Sequence, residues 1–578
     1  MPENAFPRGA LPSPRSAVLA ARRHARTLGA PASFLWRPQQ ISMWGNDAHG
    51  DCVTAEEAFA KACNAPEIFI PDNEVIGWAT RLGVLEGAVI VDVLNWMQND
   101  GFHNQGHTYT DGPYSYVDWT SAGVLRSAIA IGPVKLGIAA DQVSAAYGAA
   151  NGHTGWVGTG FHSDPNIDHC VALCGYGSMA WLAQQLGTAL PDGVDGSAPG
   201  YAMFTWNSIG IIDVPSMLAI TAEAWLRNPT TVVKSDNGWE GFELAAAGAS
   251  SPTGGIAAVS RIPGSMEVFY VGANGSVQDC FWYEGQPWQH FELAPPGSAS
   301  TSGGIAAVSR IPGSMEIFYV GANGSVQDCF WYDGQPWQRF ELAPPGSAST
   351  SGGIAAVSRI PGSMEVFYVG ANGSVQDCFW YDGQPWQRFE LAPAGSASTS
   401  GGIAAVSRIP GSMEVFYVGA NGSVQDCFWY DGQPWQRFEL APPGSASTSG
   451  GIAAVSRIPG SMEIFYVGAN GSVQDCFWYD GHPWQRFELA PAGSASTSGG
   501  IAAVSRVPGS MEIFYSGADG SLQDCYWYDG NPWQRFTLNG PGSAAGNAKV
   551  AAVSRIAGSM EVFYIGSGGT VRDCYWYG

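Results

Sequence analysis

From Gly254 to its end the chain repeats itself every 49 residues, and a period of that length marks a propeller, a solenoid or another array. The arginine of a recurring Val-Ser-Arg phrase counts seven units: Arg261, Arg310, Arg359, Arg408, Arg457, Arg506 and Arg555. In the first unit, Ile256 to Arg261, Met266 to Gly272, Ser276 to Tyr283 and Trp288 to Ala294 are rich in β-branched and aromatic residues, which predicts four short strands. Pro263-Gly264 and Asn274-Gly275 supply tight turns between them, the second suiting a hairpin that needs positive φ. Four strands in a unit of this length describe a propeller blade.

The ends of the array favour a ring over an open stack. The last unit stops at Gly578 and lacks its Trp-x-x-Phe-x-Leu strand, while Trp239 to Leu244 carries that phrase one period before Trp288. A ring uses such a displaced strand to complete its last blade; an open solenoid gains nothing from it. The expectation is a seven-bladed β-propeller over residues 237–578.

Composition excludes several functions. The chain is 45% hydrophobic and only 13% charged, enough apolar surface to fold rather than stay disordered. With 26 basic against 49 acidic side chains and a net charge of -23, it offers no basic stripe for nucleic acid or an anionic membrane. No run of about 18 apolar residues is present, so no membrane insertion is expected. The segment around Arg22, Arg23 and His24 lacks the apolar core of a secretory signal, which predicts cytosolic synthesis, with later release to act outside the cell compatible with it.

Each repeat holds several aromatics, in the first case Phe269, Tyr270, Phe281, Trp282, Tyr283, Trp288 and Phe291. Two readings stand side by side: rings buried between blades, or a ring left at the rim that offers its face to a sugar while arginine and carboxylate bond the hydroxyls. Under the second, the carbohydrate-binding candidates are Arg261, Glu267 and Trp282; Arg310, Glu316 and Trp331; Arg359, Glu365 and Trp380; Arg408, Glu414 and Trp429; Arg457, Glu463 and Trp478; Arg506, Glu512 and Trp527; and Arg555, Glu561 and Trp576. Repetition of a weak site on one rigid body gives avidity. Phrases such as Ser-Arg-Ile-Pro-Gly-Ser-Met-Glu-Val-Phe-Tyr-Val-Gly-Ala-Asn-Gly-Ser and Phe-Glu-Leu-Ala-Pro resemble the seven-bladed lectins of Photorhabdus across 237–578. That resemblance implies multivalent binding of fucose or related glycans between blades, and allows a homo-oligomer. The recurring cysteine, first at Cys280, reads as a buried free thiol, since equivalent blade positions lie too far apart for a disulfide.

The first 230 residues differ in character. Helical patterning at Cys52 to Cys63 and Ile90 to Gln98, with strands at Gly132 to Ala139 and His169 to Tyr176, predicts an α+β domain. Thiol chemistry needs a cysteine of lowered pKa, best at a helix N-terminus, with an imidazole beside it. Cys52, after Gly50-Asp51, meets the first need, and His169, opening an apolar strand, meets the second. Asn207 stands at the end of a later strand.

The order Cys, His, Asn, together with Trp36-Arg37, Gly132-Pro133-Val134, Asp168-His169 and Asn207-Ser208-x-Gly210, resembles the papain family of cysteine peptidases over residues 36 to 227. The resemblance implies that Cys52 is the nucleophile, His169 the base and then acid, Asn207 the orienter of the ring, and Asn46 the oxyanion donor, acting on a peptide substrate. Val53 and Ile209 replace tryptophans of the family pattern, and no long inhibitory propeptide precedes Trp36. The expected organisation is an N-terminal extension over 1–35, a papain-like domain over 36–232 and the propeller. Its expected function is a lectin delivering a thiol hydrolase to glycosylated targets, a toxin or defence factor by design. The alternative is a lectin whose peptidase-like domain is inactive. His103-x-x-x-His107 offers half a zinc site at most, so neither metal nor cofactor is expected.

Overall fold

The computed structural model describes residues 6–25, 30–64, 67–104, 106–235 and 238–578. It divides into two compact units, Met1–Glu243 and Leu244–Gly578. The expected propeller start at 237 lies outside the described residues.

The first unit is α+β. Its main elements are α1 (Cys52–Ala62), β1 (Val134–Ile138), β2 (His169–Ser178), β3 (Pro199–Thr205), β4 (Ser208–Asp213) and β5 (Thr221–Arg227). The central sheet runs Tyr114–Tyr116, β5, β1, β2, β3, β4 and Val157–Gly158 in order, with Phe34–Leu35 also pairing to β2. Every residue of β1, and all of β2 but its last, is buried, so these strands read as unbroken apolar runs rather than alternating ones. Helix α1 lies against β2 and is buried on all sides, including Glu56, Glu57 and Lys61.

Burying those charges requires partners. Arg227 binds Glu56 through two bonds of 2.9 and 2.7 Å, reaches Glu57 at 2.6 Å, and donates to the carbonyl of Pro133. Lys135 pairs with Glu56 and Glu57 and donates to the carbonyl of Val53, while Lys61 pairs with Asp111. Three cations thus meet three carboxylates, fixing α1 against β1 and β5.

The second unit is an all-β propeller. Its first blade is Ile256–Val259, Ser265–Val271, Val277–Tyr283 and Gln289–Ala294, joined in sequence as antiparallel neighbours. The second strand is buried along its full length because both faces meet other blades. Phe269, Val271, Val277 and Leu293 of this blade form one core with Ile305, Ile317, Tyr319 and Cys329 of the next. Gly275 turns the hairpin at φ +74°, and a Cβ there would approach the carbonyl oxygen of Ala299 to 2.9 Å, which is why the Asn-Gly dipeptide recurs.

The blade count departs from expectation. Six sheets have four strands, not seven. The last repeat supplies only Val550–Val553, Ser559–Ile565 and Val571–Tyr577, because the sequence ends before a fourth. Leu244 and Ala245, the final residues of the strand Trp239–Ala245, also fall in this unit. The inner strands touch in succession, and that of the last repeat touches that of the first. Main-chain bonds from Gly248 to Gly568 and from Ser250 to Gly569 join the start of the unit to its final repeat.

Arg227→Met would leave Glu56 and Glu57 facing Lys135 alone. The expected cost is about 3–5 kcal/mol, read as faster opening of the α1 amides in hydrogen exchange; protection equal to that of the native chain would show that the charge network does not hold the helix.

Candidate functional site

Helix α1 starts at Cys52, and β2 starts at His169. The two strand and helix ends meet: the Cys52 thiol receives the backbone N–H of Cys170, the residue after His169. Cys52 and His169 are both buried. Burial drives the Cys52 pKa up to about 11, against the pull of backbone bonds from Gly9 and Cys170, and Asp51 adds a further upward push. The lowered pKa expected at a helix start is therefore not observed, because dehydration of the thiolate outweighs the helix end. Asp51 has neither carboxylate oxygen bonded and is held near 8 by the same burial.

His169 is neutral, its pKa pressed down to about 3 by burial and by the charge of Arg8. One ring nitrogen, Nε2, meets the Thr205 hydroxyl at 2.8 Å, and Nδ1 has no hydrogen-bond partner. The indole of Trp206 stacks on the ring at 4.9 Å. The bond expected from Asn207 is thus made by Thr205. Thr205 pairs with Ser208 at the end of the β3–β4 hairpin, and Trp206, at φ +50°, forms the turn with Asn207. Asn207 is turned outward and accepts a bond from Tyr147 at 3.0 Å. The hairpin turn hides this: the strand ends at Thr205, so Asn207 lies in the turn and the residue two before it faces the histidine.

Asn46, the expected oxyanion donor, is buried, and its Nδ2 donates instead to the carbonyls of Pro7 and His49 at 3.2 and 3.0 Å. Residues 6 to 10, which the sequence reading set aside as an extension, therefore lie at this site.

In the propeller, the arginine, glutamate and tryptophan series come together across the joint between repeats. Arg261 lies 4.9 Å from the ring of Trp331, not Trp282. The same step of one repeat links Arg310 to Trp380, Arg359 to Trp429, Arg408 to Trp478, Arg457 to Trp527 and Arg506 to Trp576, and Arg555 returns to Trp282. Each arginine also donates to a carbonyl of the following repeat, Arg261 to Pro312 at 2.8 Å and Arg555 to Pro263 at 2.6 Å. The sequence reading missed the tyrosine that completes the cluster: the Tyr283 hydroxyl accepts from Arg261 and donates to Glu267, both at 3.3 Å. Its signal was present, since a tyrosine recurs one residue after every tryptophan of the series. All seven arginines keep a buried Nε–H without a hydrogen-bond partner, that of Arg457 lying 3.8 Å from a Glu463 carboxylate oxygen. Phe269 and Tyr270 are core, as the first of the two readings had it.

Burial raises Glu267 to about 7 against the pull of Arg261, and Glu316, Glu365, Glu414, Glu463, Glu512 and Glu561 share that value. Beside it Asp279 is pushed well above the ordinary carboxylate range by burial and by Glu267. All eleven cysteines are free and buried. Among the described residues no cluster of His, Cys, Asp and Glu could hold a metal ion, and no helix is long and apolar enough to cross a membrane.

No family model matches the chain, and no curated protein matches it. Among solved structures it is similar to the BP39L lectin of Burkholderia pseudomallei, with a TM-score of 0.53 and 21% identity over 56% of this chain and 96% of that one. It is also similar to AofleA of Arthrobotrys oligospora, at TM-score 0.41 and 15% identity over 53% of this chain and 92% of that one. Aleuria aurantia lectin, described as a six-bladed β-propeller with a novel fucose recognition mode, matches at TM-score 0.39 and 19% identity over 50% and 96%. The first of these likenesses shows the shared propeller fold.

A carboxyl with a raised folded-state pKa stabilises fully below its unfolded value of 4.5 and loses that contribution as pH rises through about 7. The propeller should therefore melt at a lower temperature at pH 8 than at pH 5 in calorimetry, and replacing all seven glutamates by glutamine should flatten the difference. An unchanged pH dependence in that variant would show that these groups do not control it.

Proposed function

We propose that the second unit is a multivalent carbohydrate-binding propeller. The observation that carries this reading is the cluster repeated at every joint: an arginine with an unbonded Nε–H, a carboxyl, and tryptophan and tyrosine rings from adjoining repeats. Aromatic faces suit the C–H patches of a sugar, and the arginine and carboxyl suit its hydroxyls. The lectin name of the Burkholderia structure supports the class; fucose is taken from the sequence resemblance. We read the three strands of the last repeat, with Leu244 and Ala245, as a seventh blade position.

We propose further that the first unit is a papain-like thiol hydrolase. Cys52 would add to a peptide carbonyl while its proton passes to His169 Nδ1, the nitrogen left without a partner. Collapse would expel the amine, which takes that proton, and leave a thioester. Water would then hydrolyse the thioester to a carboxylic acid and restore the thiol. Asn46 would bond the oxyanion by giving up its bond to the Pro7 or the His49 carbonyl, and Thr205 rather than Asn207 would hold the ring. The covered, protonated Cys52 favours a second reading, a lectin carrying an inactive homologue.

On a glycan array the protein should bind fucosylated glycans and be displaced by free fucose, and Trp331→Ala should lower the saturating number of sugars by one in calorimetric titration. No binding at high protein concentration would refute the lectin reading. With prolonged exposure to an epoxide thiol probe, label should appear on Cys52 and be absent from Cys52→Ala. Equal labelling of both proteins would refute the hydrolase.

A further inference from the structure

The chain's own residues 6 to 13 run across the Cys52 site. Ala10–Leu11 pairs in parallel with Ala88–Val89, and the Ala10 N–H donates to the carbonyl of Asp168, the residue before His169. Phe6 lies against Tyr147 and against Trp206, the ring that covers His169. The Pro7 carbonyl accepts from Asn46, and the Gly9 backbone bonds the Cys52 thiol. The segment thus touches the thiol, the amide beside it and the indole over the imidazole.

Two of its side-chain positions are read closely. Arg8 reaches Asp141 and Asp168 at 2.6 Å each and Ser144 at 2.9 Å, a fork of two carboxylates and a hydroxyl around one guanidinium. Asp168 is itself fixed by the Ala140 N–H at 2.9 Å. At position 9 there is no room for a side chain: a Cβ would fall 1.8 Å from the carbonyl oxygen of Gly50 and 2.8 Å from the Cα of Gly87. A Cβ on Gly50 or Gly87 would in turn crowd the main chain of Arg8 or Gly9. Three glycines therefore let three backbones meet beside Cys52.

We propose that this groove binds peptide chains carrying arginine followed by glycine, and that Arg8-Gly9 fills it in the resting protein. The proposal rests on the reading of Cys52 as a reactive thiol. It gives the two halves of the recognition distinct physical sources. Charge pairing in a forked geometry selects arginine, and backbone contact excludes any residue with a Cβ. It also accounts for the buried, protonated state of Cys52, since the segment that covers the thiol removes its water.

The test uses the full chain. Gly9→Val should push the segment out by steric conflict, and Arg8→Ala should loosen it without one. In both, alkylation of Cys52 by iodoacetamide, followed by mass spectrometry, should run about tenfold or more faster than in the native protein, equivalent to about 1.4 kcal/mol of lost cover. A synthetic peptide Phe-Pro-Arg-Gly-Ala-Leu should restore protection to Gly9→Val, whereas the same peptide with valine for glycine, or glutamate for arginine, should not. Equal protection by all three peptides, or equal alkylation of native and variant proteins, would overturn the proposal while leaving the thiol reading intact. Absence of Cys52 alkylation in every form, with folding retained by circular dichroism, would overturn both.

Discussion

The joint between repeats rests on one arginine. A guanidinium lies over a tryptophan of the next unit, donates to that unit's main chain and reaches back to a tyrosine of its own. Each such stack contributes on the order of 0.5–2 kcal/mol, and its placement matters more than its size, because seven of them pass the contact around the unit and return it from Arg555 to Trp282. The apolar cores between blades follow the same one-repeat step. What locks the joint also gathers its chemistry: a buried, unbonded Nε–H, a buried carboxyl and two aromatic rings lie together where adjoining repeats meet.

The first unit obeys a different constraint. Its helix α1 is wholly buried and carries two glutamates and a lysine, so the surrounding strands must bring counter-charges to it. That arrangement brings the start of α1 to the start of β2, and so brings Cys52 to the residue after His169. Dehydration has opposite effects on the two groups, raising the thiol and lowering the imidazole, so both rest uncharged. Neither the thiol nor the imidazole is activated in this state.

Much of this was legible in the sequence because repetition amplifies a signal. Strand limits for the first blade, set by Pro263-Gly264 and Asn274-Gly275, agree with the observed ones to within one or two residues. The pairing of Arg261 with Trp331 rather than Trp282 was not, since a repeat unit in sequence says nothing of whether its residues face each other or a neighbour. The blade count failed at the chain's end, where the last repeat has three strands of its own. In the first unit, Cys52 and His169 were readable from helix and strand starts. Thr205 was not, because a hairpin turn at Trp206-Asn207 shifts which residue faces the ring. Nor were Arg8 and Gly9, whose partners lie far along the chain.

The most direct measurement of the central claim, that the arginine joint is also the sugar site, is a crystal structure of the protein soaked in methyl fucoside. The account predicts the sugar seated between repeats, its ring against a tryptophan or tyrosine of the series and its hydroxyls on arginine Nε and the glutamate. Sugar bound elsewhere on the propeller, with the arginine joints unoccupied, would contradict it.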